Sequence, residues 1–194
     1  RSAKFALDVR LPGMRYASVR HCPQLGGVLE AASLSSKSSP DSATLVSGVD
    51  WFAVVSSSWW SADTLAESAD VRWGAPADPK RSTESNLIEL RQAVDARDAA
   101  AIYSRSESTE RPTAVRKSVE ARYETAYLAH QTMEPMNCTI RLRDDHCEVW
   151  IGTQAPGLVR RAVADVVGVG TDKVLVHPLL MGCGLGRRLE VDVA

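Results

Sequence analysis

Two blocks of sequence decide how the chain folds: Tyr123-Glu-Thr-Ala-Tyr-Leu-Ala-His-Gln-Thr-Met-Glu-Pro-Met-Asn-Cys-Thr139 and Glu148-Val-Trp-Ile-Gly-Thr-Gln154. Together they predict an apolar strand, a polar corner and a hairpin that ends at a glutamine just before a helix. The corner concentrates His130, Glu134 and Asn137, and Pro135 biases Glu134 towards extended backbone. Such a corner either forms a functional site or caps backbone amides with its polar side chains, and the spacing leaves both interpretations open.

The composition describes a globular chain without a dominant charge. Its 194 residues are 44% hydrophobic, which is enough for one good core or two small ones. The formal net charge of −1 gives no general attraction to nucleic acid or anionic lipid, so we predict neither as a partner. No apolar run approaches the roughly 18 residues that span a membrane.

The four cysteines contain no C-x-x-C pair, so we expect no disulfide framework. Cys138 and Cys147 could face each other across a hairpin, but we expect both to be buried thiols. Two adjacent His-Cys pairs lack the clustered further ligands of a zinc site, and no metal ligand is predicted. The chain begins without Met or an apolar signal core and stops within an alternating stretch. We therefore expect an internal segment of a longer protein.

The first half of the chain predicts short strands around one helix. Alternation and β-propensity indicate strands at residues 4–9, 15–20, 27–33, 43–47, 51–55 and 70–73. Proline and glycine predict a turn at residues 11–14, and Ser57 or Ser58 caps the helix. In that helix Trp59 and Trp60 either form a ligand-stacking platform or divide between core and surface, and we expect the second.

The second half predicts a helix, an arm and a strand-rich region. Ser82 or Thr83 begins the helix, whose apolar stripe contains Leu87, Leu90 and Val94. Polar sequence indicates a loop at residues 35–42 and a connecting arm at residues 97–113. A strand is predicted at residues 119–128, a hairpin at 136–142 with 147–151, a packing helix from Pro156 to a stop at Gly168, and a buried strand at 173–180.

A glycine-rich turn, Gly182-Cys-Gly-Leu-Gly186, follows the last predicted strand and precedes Arg187 and Arg188. Glycines let backbone N–H groups approach an oxyanion closely, and two arginines can neutralise one. The spacing matches neither the dinucleotide fingerprint nor a Walker loop, so by itself this signal is weak.

Taken in order, the blocks at residues 129–138, 147–150 and 153–154 resemble the molybdenum-binding subunit of the xanthine dehydrogenase family, in its isoquinoline 1-oxidoreductase beta-subunit branch. The opening Asp8-Val-Arg-Leu-Pro-Gly-Met14 is similar to the start of the family's hammerhead domain. The resemblance implies an α+β fold in which residues 1–80 form a hammerhead-like α/β domain. Residues 81–118 would form a helix and connecting arm, and 119–194 would open the molybdopterin-binding domain.

The resemblance also implies which residues meet the cofactor. Its cofactor-binding positions are Gln154, Gly182, Gly184, Leu185, Gly186 and Arg187, and His130 and Glu134 shape the substrate pocket. Gln154 would donate a hydrogen bond towards an oxygen ligand of molybdenum, although a side chain so near a helix start can also act as a cap. Cys183 stands where the family has glycine, and Leu185 where it has phenylalanine.

The implied activity is that of a bacterial molybdenum hydroxylase, periplasmic or cytoplasmic, which oxidises an aldehyde or N-heterocycle with water-derived oxygen. The implied cofactor is a molybdopterin of the cytosine dinucleotide type, and the implied partner is a small [2Fe–2S] subunit. The family's catalytic base lies beyond this sequence, so no catalytic residue is assigned. We expect the isolated chain to bind no cofactor and to turn over no substrate.

An alternative of another class is a stand-alone α+β binding or assembly module that has lost the chemistry, which Cys183 and Leu185 motivate. On either interpretation we expect self-association, because open strand edges and apolar faces pair with what is available. The segments expected in the interface are residues 119–128, 136–142 and 174–180.

Overall fold

The computed structural model describes residues 3–34, 43–76, 82–96, 117 and 119–193. The predicted polar loop at 35–42 and connecting arm at 97–113 lie outside these residues. The chain divides into two compact units. We call Met14–Tyr127 the central unit, and Arg1–Gly13 together with Leu128–Ala194 the terminal unit. Both mix helices with strands, which confirms the predicted combination of α and β structure.

The described residues of the central unit form two antiparallel sheets and two helices. Its elements are β1 (Tyr16–His21), β2 (Val28–Ser33), β3 (Thr44–Ser47), β4 (Trp51–Ser56), α1 (Trp59–Glu67), β5 (Asp70–Gly74) and α2 (Thr83–Ala96). One sheet has the order β1-β4-β3, and β2 pairs with β5 in the other. The predicted strands at these positions are confirmed, as is the turn at Gly13, whose φ is 72°.

The side chain of Ser58 caps α1 by accepting a hydrogen bond from the Ser61 N–H, as predicted. The helix then buries small and branched side chains against β4, where Phe52 lies in the same core. The prediction for the two tryptophans was wrong, because Trp59 and Trp60 are 53% and 75% exposed. They occupy the first turn of α1, and the buried residues of this helix lie further along it.

The predicted strand at residues 119–128 was also wrong, because the structure places no strand there. Its polar side chains pair with α2 instead: the Arg91 guanidinium donates to both Glu124 carboxylate oxygens at 2.8 Å, and Arg122 pairs with Asp95. Glu124 raises the pKa of Arg91 above its usual range. Alternation indicates a strand only where a neighbouring strand completes the ladder, and none of the described strands pairs with residues 119–128.

The first predicted strand, at residues 4–9, is replaced by a single turn of 3-10 helix at Ala6–Asp8 in the terminal unit. The Asp8 carboxylate accepts the Phe5 N–H at 2.9 Å, and this local closure competes with an extended backbone. Only Phe5 bridges to another segment, in parallel with Leu180.

The terminal unit holds a three-stranded sheet and one helix. Its elements are β6 (Cys138–Arg143), β7 (His146–Ile151), α3 (Pro156–Val167) and β8 (Val174–Pro178). β6 and β7 form the predicted hairpin, whose turn includes Asp144 at a φ of 49°. β8 returns parallel to β7 after the intervening α3. This arrangement brings the chain after β7 and the chain after β8 to the same end of the sheet.

The helix α3 covers one face of this sheet. Pro156 lies at its first turn, and Gly168 ends it with a left-handed φ of 78°, as predicted. Val159, Val163 and Ala164 are buried against the sheet. None of the described helices is long and apolar enough to cross a membrane.

The cysteines carry no disulfide: all four are free. Cys147 is fully buried in the sheet core. Burial raises the pKa of the Cys138 thiol to about 11, and this thiol donates to the Val193 carbonyl. These thiols therefore act as core side chains.

Replacing Val163 by Ala tests this core. Val163 is 2% exposed, and removing its two methyl groups leaves a cavity, so the free energy of unfolding should fall by about 2 kcal/mol. Val166→Ala makes the same change of helix propensity at an 83% exposed position, and it should change stability by less than about 0.5 kcal/mol. Chemical denaturation measures both, and equal losses would contradict the observed packing.

Candidate functional site

The polar corner pairs with the glycine-rich loop inside the terminal unit. The Glu134 N–H donates to the Gly182 carbonyl at 3.0 Å, and the Gly182 N–H donates to Glu134 Oε2 at 2.8 Å. Asn137 and Thr132 fix the corner locally, through bonds to the carbonyls of Pro135 and Glu134. Glu134 therefore caps a backbone amide, as the second interpretation of the corner predicted, and it also joins the corner to the loop.

Arg188 lies beneath this junction. Its side chain is 0% exposed and forms an ion pair at 3.0 Å with Glu134, whose side chain is 6% exposed. The guanidinium also donates to the carbonyls of Glu134, Gly152 and Cys183, at 2.9, 3.1 and 3.0 Å. A buried charge is tolerated when it is paired and hydrogen-bonded, and here each guanidinium nitrogen donates at least one hydrogen bond.

Gln154 is held by the backbone of Arg188. The Gln154 N–H donates to the Arg188 carbonyl at 3.0 Å, and the Thr153 hydroxyl donates to that carbonyl at 3.2 Å. The Thr153 hydroxyl also accepts the Ala155 N–H at 3.0 Å, so Thr153 and not Gln154 supports the start of α3. The Gln154 side chain is exposed.

Because the loop glycines have no side chains, the loop lies close to the predicted side chains of Gln154, Glu134 and His130. A Cβ added at Gly184 would lie 2.9 Å from Oε1 of Gln154, and one at Gly182 would lie 2.4 Å from Cβ of Glu134. Gly186 has a φ of 84° and its Cβ position is 3.6 Å from Nδ1 of His130. A glycine at position 184 is thus required if the amide of Gln154 is to keep its place.

Two other loop residues adopt the left-handed region that favours glycine: Cys183 at a φ of 80° and Leu185 at 51°. Non-glycine residues persist in that region only when their surroundings fix them, at a cost on the order of 1–3 kcal/mol each. The Cys183 carbonyl is fixed by the Arg188 guanidinium, and Leu185 is exposed. The two departures noted in the sequence therefore coincide with the two strained positions.

Arg187 points to the surface side of the loop, where its guanidinium pairs with both carboxylate oxygens of Asp192 at 2.8 and 2.6 Å. Asp192 raises the pKa of Arg187 above its usual range. Each of the two adjacent arginines thus has a carboxylate partner within this unit.

A second cluster, which sequence reasoning missed, lies on the sheet itself. The rings of Trp150 and His177 stack at 4.8 Å with an interplanar angle of 11°, and Arg141 lies 5.2 Å from the Trp150 ring. Hydrogen bonding from Arg141 holds the pKa of the Glu148 carboxyl below its usual range, and His177 Nε2 lies 3.6 Å from Glu148 Oε1 without a hydrogen bond. Among the described residues, no group of three or more His, Cys, Asp or Glu could hold a metal ion.

The model of the molybdopterin cofactor-binding domain family matches residues 97–193. The chain is 31% identical to the isoquinoline 1-oxidoreductase subunit beta of Brevundimonas diminuta over an alignment of 202 residues that covers 97% of this chain and 25% of that protein. It is 23% identical to a membrane-bound aldehyde dehydrogenase of Gluconacetobacter polyoxogenes, over 73% of this chain and 18% of that protein.

Solved structures with the same fold include quinoline 2-oxidoreductase from Pseudomonas putida 86, with a TM-score of 0.63 and 14% identity over 96% of this chain and 29% of that chain. A Cu,Mo-CO dehydrogenase aligns with a TM-score of 0.53 and 12% identity over 94% of this chain and 29% of that chain. The chain thus spans about a quarter of the length of the isoquinoline 1-oxidoreductase subunit. The chain belongs to the molybdopterin cofactor-binding domain family.

Proposed function

We propose that the chain forms part of the molybdopterin site in the large subunit of a molybdenum hydroxylase that oxidises an aldehyde or N-heterocycle with oxygen from water. One observation carries the proposal. Gln154, the glycine loop and the corner, which come from separate parts of the sequence, converge within the terminal unit of a chain of this family.

The residues present fit such a group. The absence of a Cβ at Gly184 leaves the Gln154 amide in place beside the loop, and a neutral amide can donate to an oxygen of the group without adding charge. When bound, molybdopterin supplies the metal that takes electrons from the substrate. The exposed Leu185 and His130 would border the substrate, and the Glu134 carboxylate, engaged with Arg188 and the Gly182 N–H, would hold the pocket and transfer no proton.

Finer features rest on the same resemblance. We propose the cytosine dinucleotide form of the cofactor, a [2Fe–2S] small subunit as partner, and a hammerhead-like domain over residues 1–80 with boundaries near 80 and 118. We also propose that the isolated chain self-associates. Ile140 and Leu142 on the edge strand β6, with Leu175 on β8, are half exposed and support this last point.

The alternative function, a binding or assembly module without cofactor, is favoured by the strain at Cys183 and Leu185 in the loop that would approach the cofactor. Metal content separates it from the proposal. A chain that kept the fold and lost the chemistry would carry no molybdenum even as part of its complete subunit.

The direct test is molybdenum analysis of the complete subunit, produced in a host that synthesises molybdopterin. We expect about one molybdenum per chain with release of cytidine monophosphate on hydrolysis, and no molybdenum on the isolated 194-residue segment. Gly184→Ala should lower the content several-fold, because its Cβ would meet the Gln154 amide.

Gly157→Ala is the matched control, since a Cβ there meets nothing within 4 Å, and its molybdenum content should equal that of the wild type. A complete subunit without molybdenum would overturn the proposal in favour of the binding module.

A second prediction concerns Cys183→Gly. Glycine adopts the observed φ of 80° without strain, so the free energy of unfolding should rise by about 1 kcal/mol. Because this change removes a side chain from the loop, the molybdenum content should be equal to or higher than that of the wild type. Denaturation and metal analysis test the two parts, and a destabilised variant would show that the Cys183 side chain packs favourably in the loop.

A further inference from the structure

Arg188 joins three segments that are distant in sequence. Its Nε donates to the loop at Cys183, its Nη1 to Gly152 at the end of β7, and its Nη2 to the carbonyl and carboxylate of Glu134 in the corner. The Arg188 side chain, which makes all of these contacts, has no exposure to solvent. The contacts therefore fix the relative positions of the corner, the loop and the chain that leads into Gln154.

The backbone of Arg188 also fixes the position of Gln154. The Arg188 carbonyl accepts the Gln154 N–H at 3.0 Å and the Thr153 hydroxyl at 3.2 Å. The side chain thus fixes where residue 188 lies, and the carbonyl of residue 188 fixes where the Gln154 backbone lies. A displacement of the guanidinium moves the backbone to which Gln154 is attached.

The geometry requires arginine at this position. Three different nitrogen atoms point at three segments, and only a planar guanidinium presents donors along such separate directions. A lysine ammonium places its three donors on one atom and cannot reach the Cys183, Gly152 and Glu134 acceptors together. The neighbouring Arg187, which pairs with Asp192, takes no part in this arrangement.

We propose that Arg188 is a positioning residue: it holds the Gln154 amide and the glycine loop in register with each other, so that both can face the cofactor at once. The purpose that we give to this positioning rests on the proposed function. The positioning itself is argued from the contacts of Arg188 alone. Arg188 touches neither cofactor nor substrate, and it acts through the backbone of Gln154 and the carbonyl of Cys183.

The first experiment needs no cofactor. Amide hydrogen exchange is measured on the 194-residue chain for the wild type, Arg188→Lys and the control Arg187→Lys. We expect Arg188→Lys to speed exchange of the Gln154 and Gly182 amides at least about tenfold, while Val149 in β7 keeps its protection. Arg187→Lys should leave all three amides unchanged.

Unchanged protection at Gln154 and Gly182 in Arg188→Lys would overturn the proposal. Equal loss of protection at Val149 would overturn it too, since Arg188 would then support the whole unit. Glu134→Gln covers the case in which Arg188→Lys fails to fold: it keeps the shape of the partner and weakens only the pairing, so the same local loss is expected, and its absence contradicts the proposal.

The second experiment uses the molybdenum-loaded subunit. In the partly reduced protein, Arg188→Lys should shift the molybdenum EPR signal in the same direction as Gln154→Leu, with molybdenum content within about twofold of the wild type. Arg161→Lys, which changes an exposed arginine on α3 outside the site, should leave the signal unchanged, and an unshifted signal in Arg188→Lys would contradict positioning of Gln154. If the wild-type subunit carries no molybdenum, the proposed function fails, whereas the exchange experiment still decides whether Arg188 positions Gln154.

Discussion

The ion pair between Arg188 and Glu134 is the constraint on which the site depends. Both side chains are buried, Arg188 completely and Glu134 almost completely, and a buried charge left without its partner is strongly unfavourable. The remaining donors of the guanidinium need acceptors as well, and the carbonyls of Gly152 and Cys183 supply them. The corner, the end of β7 and the glycine loop must therefore meet at one place if the charge is to be buried at all.

The site consequently has two layers with different properties. The lower layer, formed by the ion pair and Thr153, is buried and fully hydrogen-bonded. The upper layer, which contains Gln154 and Leu185, is exposed and open to a ligand. The left-handed backbone conformation at Cys183 persists because its carbonyl accepts a hydrogen bond from the buried Arg188 guanidinium. Rigidity beneath an exposed surface is what a binding site needs to present its groups in a fixed geometry.

Elements with local sequence signals were predictable, and those that need a distant partner were not. The Ser58 cap and the Gly168 stop mark their helices because the responsible interactions lie within a few residues. Alternation at residues 4–9 and 119–128 indicated strands, but a strand also requires a neighbour, which the sequence cannot reveal. For the site, the family resemblance predicted Gln154 and the glycines. It did not reveal that one of two adjacent, chemically identical arginines is buried, because that depends on where Glu134 lies in space.

The most direct test of the central constraint is a double-mutant cycle between Glu134 and Arg188, with Glu134→Gln, Arg188→Met and the double variant compared by denaturation. The single changes should each cost about 3 kcal/mol, because each leaves a buried partner unpaired. The double variant should cost much less than their sum, with a coupling of about 2 kcal/mol or more. Effects that add to within about 0.5 kcal/mol would show that the two side chains do not depend on each other, and the account of the site would fail.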